Sequence, residues 1–229
     1  MRSHSICAVV TIMIVASVFV PSTVCAQDGN APNSLADGKS ALMFEIIGDF
    51  DLTSFEGANI SYKHHYTDNR AYRVGVSVAV SHENRDEDGS GYRWIENEIS
   101  RESITLTALK LHYNDITNRA SFYWGLGPRI GYSHDKDNYD TPAWDDDYSR
   151  RNTFNRANAG ILGVVGVEWF LAHELSLLAQ YGTVLEYNWT RSEYQQTYSE
   201  PEYDEFRNQE SSVVKLQADA VRFGLSLYW

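Results

Sequence analysis

Ala120-Ser121-Phe122-Tyr123-Trp124-Gly125-Leu126-Gly127-Pro128-Arg129-Ile130-Gly131-Tyr132-Ser133 is the stretch whose reading decides the fold. Phe122, Trp124, Leu126, Pro128, Ile130 and Tyr132 share one face of an extended chain. Ser121, Tyr123, Gly125, Gly127, Arg129, Gly131 and Ser133 share the other. A strand sends successive side chains to opposite sides, so this period of two marks a strand with one apolar and one small or polar face.

The same alternation recurs along the chain. Tyr72, Val74, Val76, Val78 and Val80 oppose Arg73, Gly75, Ser77, Ala79 and Ser81. Val221, Phe223, Leu225, Leu227 and Trp229 oppose Arg222, Gly224, Ser226 and Tyr228. Weaker dyads lie near 42–46, 58–63, 105–113, 161–169 and 175–188, which makes eight strands. In the 105–113 segment, Leu109, Leu111 and Tyr113 are assigned to the apolar face and Lys110 and His112 to the polar one.

The connections alternate in length. Short turns fall at 67–71, 115–119 and 171–174, and long polar segments at 83–102, 135–156 and 190–212, with a shorter one near 49–54. Short turns at one end and long loops at the other are the plan of an outer-membrane barrel. The predicted fold is therefore all-β: an eight-stranded antiparallel up-and-down transmembrane β-barrel with short periplasmic turns and long external loops. A soluble barrel would put its apolar face inside. Here the polar face holds many Gly, Ser and Ala residues suited to a crowded lumen. The apolar face carries Tyr and Trp near strand ends, as an aromatic girdle requires. Tyr72, Trp169, Trp229 and Tyr113 are expected in one belt, with Tyr132, Tyr187 and Trp189 in the other.

Composition agrees with this class. The chain has 229 residues and a formal net charge of -12, with 19 Lys+Arg against 31 Asp+Glu. Such an acidic chain is a poor match for nucleic acid, whose phosphates need a basic surface. Arg2, the apolar run Ile6 to Val20 and the small residues before Gln27 form a secretory signal pattern, with cleavage expected near Ala26. The expected organisation is a signal peptide at 1–26, a flexible polar leader at 27–38 and the barrel at 39–229. Both cysteines, Cys7 and Cys25, would leave with the signal. The exported chain would then be held together without disulfides.

Two stretches carry a family resemblance. Arg222-Phe223-Gly224-Leu225-Ser226-Leu227-Tyr228-Trp229 and the strand–turn–strand segment Gly166-Val167-Glu168-Trp169-Phe170-Leu171-Ala172-His173-Glu174-Leu175-Ser176-Leu177 resemble the small outer-membrane β-barrel family that includes OmpA-like and OmpX-like proteins. The resemblance implies that Arg222, Gly224, Leu227 and Trp229 form a C-terminal signal read by the barrel-assembly machinery. Trp229 stands where the family usually ends in Phe.

The polar face collects Glu45, Lys63, Arg73, Lys110, Arg129, Glu168, Glu186 and Arg222. Charges confined in a narrow lumen must pair, since an isolated buried charge costs several kcal/mol. An eight-stranded barrel is just wide enough to be filled by its own side chains. A static ion-pair network that closes the lumen is accordingly preferred over a gate.

No catalytic or cofactor-binding constellation emerges. The six histidines after the signal are His64, His65, His82, His112, His134 and His173. Ser81 and Ser133 adjoin His82 and His134, and sequence neighbours on a strand face opposite ways, as do His64 and His65. Asp145-Asp146-Asp147 lacks the spacing of a dedicated calcium loop, so no metal site is assigned.

Stretches 83–101, 135–156 and 191–212 hold six carboxylates each, interleaved with aromatics such as Tyr92, Trp94, Tyr139, Trp144 and Tyr194. The function expected is a structural or surface-interaction protein of the cell outer membrane. Its partners would be membrane lipid and lipopolysaccharide, and an extracellular ligand held through segments 83–102, 135–156 and 190–212. A narrow porin-like channel is the alternative, and a lipid-modifying outer-membrane enzyme the third.

Overall fold

The computed structural model describes residues 35, 37–46, 58–89, 93–117, 119–141, 148–198, 204–218 and 221–229. The signal peptide, most of the leader, the 49–54 segment and Asp145 to Asp147 lie outside the described residues.

Nine strands follow one another: β1 (Ser40–Ile46), β2 (Ala58–Thr67), β3 (Arg70–Gly89), β4 (Arg93–Thr117), β5 (Ala120–Thr141), β6 (Tyr148–Ala172), β7 (Leu175–Tyr198), β8 (Glu205–Ala218) and β9 (Arg222–Tyr228). Every pairing is antiparallel, each of the first seven strands to the next. β7 pairs with β8 over Thr183–Gln196 and with β9 over Leu175–Gln180. These last two strands are therefore successive halves of one stave, and the ring has eight staves. β9 closes it against β1, with Ala41 opposite Tyr228 and Ile46 opposite Phe223. Ser40 and Trp229 exchange both backbone hydrogen bonds at the seam, 3.2 and 2.9 Å.

Between the two halves of the eighth stave the register slips by one residue, from Thr183 opposite Ala218 to Gln180 opposite Arg222. A one-residue slip sends a side-chain set to the other face. Thus Leu216 shares the outer face with Leu185 above the break, and Phe223 and Leu227 hold it below.

Burial separates the two walls. Leu126, Ile130, Ile161, Trp169 and Leu185 are about half exposed, whereas Glu45, Lys63, Arg73 and Glu168 are buried. A soluble barrel has the reverse arrangement. The exposed wall is apolar across several adjacent staves, far more than a soluble surface leaves uncovered. Tyr72, Trp169 and Trp229 lie on that wall at the short-turn end, and Tyr132, Tyr187 and Trp189 toward the other end.

Strand β4 departs from the sequence expectation. Leu109, Leu111 and Tyr113 face the lumen and are buried. Lys110 is exposed on the outer wall, and His112 stacks there on Trp124 at 4.5 Å between ring centroids. Tyr113 consequently belongs to no belt. The lumen at this end needs apolar bulk, which Leu109 and Leu111 supply beside Leu162, Val164 and Val184.

The long polar segments are also more ordered than loops. β3 and β4 stay paired out to Gly89 opposite Arg93, β5 and β6 out to Thr141 opposite Tyr148, and β6 and β7 out to Tyr148 opposite Tyr198. Of the leader, Leu35 is buried with the lumen cluster. Gly38, at φ 81°, turns the chain so that its amide donates to the His65 carbonyl at 2.8 Å. Only a residue without Cβ adopts that backbone freely.

Candidate functional site

The lumen at the short-turn end is packed around one ion pair. β2 contributes Lys63 and β6 contributes Glu168 from across the barrel. The Lys63 ammonium donates to both carboxylate oxygens, at 2.7 and 2.9 Å, and to the Tyr113 hydroxyl at 3.1 Å. The Tyr113 hydroxyl in turn donates to Glu168 at 3.1 Å. Two further hydroxyls converge on the same carboxylate, Ser176 of β7 at 2.5 Å and Tyr228 of β9 at 2.7 Å. The carboxylate thus meets four donor groups from four strands, and its lone pairs are filled. The Tyr228 ring centroid also lies 4.7 Å from the Lys63 nitrogen, an added cation–π contact.

A second pair sits beside the first. Arg73 of β3 reaches Glu45 of β1 at 3.3 Å, over the intervening Asn59, whose amide donates to Glu45 at 2.5 Å. Around both pairs lie Met43, Phe170, Tyr123 and Leu111, all essentially without exposure. His65, also buried, is flanked by the rings of Tyr113 and Tyr228 at 5.1 and 6.0 Å.

Tyr123 depends on a glycine. It pairs with Gly166, and a Cβ placed there would come within 2.5 Å of the Tyr123 ring and 2.7 Å of the Ala179 carbonyl. The ring therefore lies flat over bare backbone, and its hydroxyl donates to Gln180 at 3.2 Å.

Of the eight charges read as luminal, Glu45, Lys63, Arg73 and Glu168 form the two pairs. Glu186 is buried and accepts from Asn188 at 3.0 Å. Arg129 and Arg222 lie on the lumen side of β5 and β9, partly buried, and Lys110 lies outside. The sequence reading does not include Tyr113, Tyr228, Ser176 and Asn59, which complete the pairs. Alternation alone puts Tyr228 on the polar face, and Tyr113 requires the face of β4 to be known.

One Ser–His contact also escapes it. The Ser40 hydroxyl lies 3.0 Å from His64 Nδ1 and 2.9 Å from the Tyr62 hydroxyl. It arises across strands, where adjacency in sequence gives no hint. Among the described residues no group of three or more His, Cys, Asp or Glu side chains could hold a metal ion.

A closed antiparallel ring with an apolar outer wall, aromatic belts and paired charges inside defines a membrane-spanning β-barrel. Three solved outer-membrane proteins are among the structures to which the chain is similar. The attachment invasion locus protein Ail of Yersinia pestis is 12% identical, with a TM-score of 0.38 over 84% of this chain and 99% of that one. A major outer membrane protein of Thermus thermophilus is 14% identical, with a TM-score of 0.41 over 84% and 99%. CarO of Acinetobacter baumannii is 9% identical, with a TM-score of 0.34 over 86% and 100%. No protein-family profile and no curated protein matches the sequence.

Proposed function

We propose that this chain is an outer-membrane protein, exported by an N-terminal signal cleaved near Ala26, whose lumen is shut and whose work is done by the strands that rise above the lipid. The lumen network closes the short-turn, periplasmic end. β9, which carries Arg222, Gly224, Leu227 and Trp229, forms the closing seam and is the strand offered to the assembly machinery.

The observation that carries the surface role is the height of the paired strands. From the belt residue Tyr132, β5 continues nine residues to Thr141, still paired to β6. At about 3.3 Å per residue this is about 30 Å along the strand. A hydrogen-bonded ladder of that length presents its side chains in fixed register, and a bound partner would meet little ordering cost. The projections are acidic and carry exposed Phe206 and Tyr198, which suit a basic partner surface with apolar patches.

The test replaces residues 136–153 by a tight turn and compares cells producing either chain. Retention of the heat-dependent gel shift would report an intact barrel. The expected result is a several-fold loss of cell attachment to a basic protein-coated surface, at unchanged detergent sensitivity. Attachment equal to that of the parent would overturn the surface role.

A further inference from the structure

The short-turn end of the lumen is covered, although a ring of strands by itself leaves its ends open. His65, Ala71 and Ser121 have no exposure there, and Tyr113, Phe170 and Tyr228 have 4% or less. The turns fix these last three at the rim. The amides of Tyr113, Phe170 and Tyr228 donate to the carbonyls of Asn69, Arg119 and Glu174, each at 2.8 Å. Leu35, 3% exposed, belongs to the same apolar cluster, and among the described residues it is the member that no strand supplies.

The chain before β1 is anchored across this rim. The His65 amide donates to the Lys39 carbonyl and the Gly38 amide to the His65 carbonyl, both at 2.8 Å. The Asp37 amide donates to Asp68 Oδ1 in the β2–β3 turn at 3.0 Å. Asp37, Gly38 and Lys39 are exposed while Leu35 is buried, so the segment lies over the mouth with Leu35 turned inward. Gly38 makes the bend at φ 81°, and nothing stands within 4 Å of where its Cβ would be. The bend is therefore a matter of backbone conformation alone, which a residue with a side chain resists.

We infer that Leu35 and Asp37 to Lys39 form a stopper in the periplasmic mouth, seated beneath the Lys63–Glu168 layer, and that it leaves and reseats while the barrel stays folded. What holds it is small: one buried leucine and three hydrogen bonds, against continuous ladders in the staves above. Segments with few buried contacts open locally at a fraction of the global cost. An unseated Leu35 uncovers His65, Ala71 and Tyr113, and water then reaches the Tyr113 hydroxyl and the ion pair from below. The lumen has two seals, a fixed one of paired charges and a movable one at the rim. The stopper presupposes the shut lumen proposed above, and the two fail on different measurements.

Cys7 and Cys25 precede Gln27, so a single thiol in the mature chain reports on the mouth. Ala71→Cys puts it in the covered rim, Ala41→Cys is a second reporter there, and Ser77→Cys faces the lumen beyond the ion pairs. Labelling by a small charged methanethiosulfonate is timed for the full mature chain in nanodiscs, with heat-dependent gel mobility as the check of folding. Adding Leu35→Asp should speed labelling of both rim reporters about tenfold, since burial of one leucine is worth about a decade in an equilibrium constant. Ser77→Cys should keep its rate. Gly38→Ala should act in the same direction by a smaller factor. Rim reporters that label at an unchanged rate, rim reporters that label rapidly beside the native leader, or equal acceleration of Ser77→Cys would each overturn the stopper. Failure of the shut lumen shows separately, as unitary currents through the unmodified chain.

Discussion

Lys63 and Arg73 are direct cross-strand partners on β2 and β3, and both side chains are buried in the lumen. Two cations side by side repel, so each requires an anion of its own. Lys63 finds Glu168 across the barrel, and Arg73 finds Glu45 two strands back along the ring. The doubled cation therefore forces contacts that span the circumference, linking β1, β2, β3 and β6.

Removing one partner should be costly. Glu168→Ala leaves Lys63 buried without its anion and strips three hydroxyls of their acceptor. A loss of about 3–5 kcal/mol is expected in urea unfolding from detergent micelles. Replacing both residues, as Lys63→Met with Glu168→Leu, should cost far less than the sum of the single changes. Additive losses would show that the two residues do not act as a pair.

The packing of Tyr123 on Gly166 makes a second prediction. Gly166→Ala introduces a methyl group where the ring and the Ala179 carbonyl leave no space. Destabilisation of about 1–3 kcal/mol should follow. Combining it with Tyr123→Leu should recover part of that loss, which a double-mutant cycle would read as coupling.

Two lysines on opposite walls should respond in opposite directions. Lys110 lies outside, between Tyr72 and Leu126, where its stem can follow apolar surface while the ammonium reaches toward the polar layer. Lys110→Leu should be neutral or stabilising by up to about 1 kcal/mol in the same unfolding assay. Lys63→Leu should destabilise the barrel by several kcal/mol, because Glu168 is then buried unpaired.

The ladders above the belt can be tested by hydrogen exchange. Amides in 135–141 and 148–156, where β5 and β6 pair above the belt, should exchange slowly and together. Exchange at the rate of free peptide would mean that these segments are loops.

The parts of this architecture that are legible in sequence are the strands with one clean face. Along 72–80, 122–132 and 221–229 the apolar set admits a single orientation, and those orientations match the burial in the structure. Strand β4 is not legible because both of its faces are apolar in part: Ile104 and Leu106 on one, Leu109 and Leu111 on the other. The single charge at Lys110 then tips the reading inward, although a lysine near a membrane boundary can face lipid. The slip between β8 and β9 leaves no mark in composition.

The pairing of charges is out of reach for a different reason. Alternation assigns a residue to a wall and leaves open which residue it meets across the lumen. Glu168 could face any inward cation until the ring fixes its neighbours. Its hydroxyl partners are harder still, because Tyr113 and Tyr228 fit a lumen, a belt or a surface equally well by residue type. The acidic ladders read as loops since their alternation carries little hydrophobic contrast, and backbone pairing there needs no apolar face.

The closed lumen is tested most directly by conductance of the purified full chain inserted in a planar bilayer. The Lys63–Glu168 cluster and its aromatic surround predict a quiet membrane, with no reproducible unitary openings. Steady unitary currents through the unmodified protein would contradict it, and the packed lumen would have to be read as a pore.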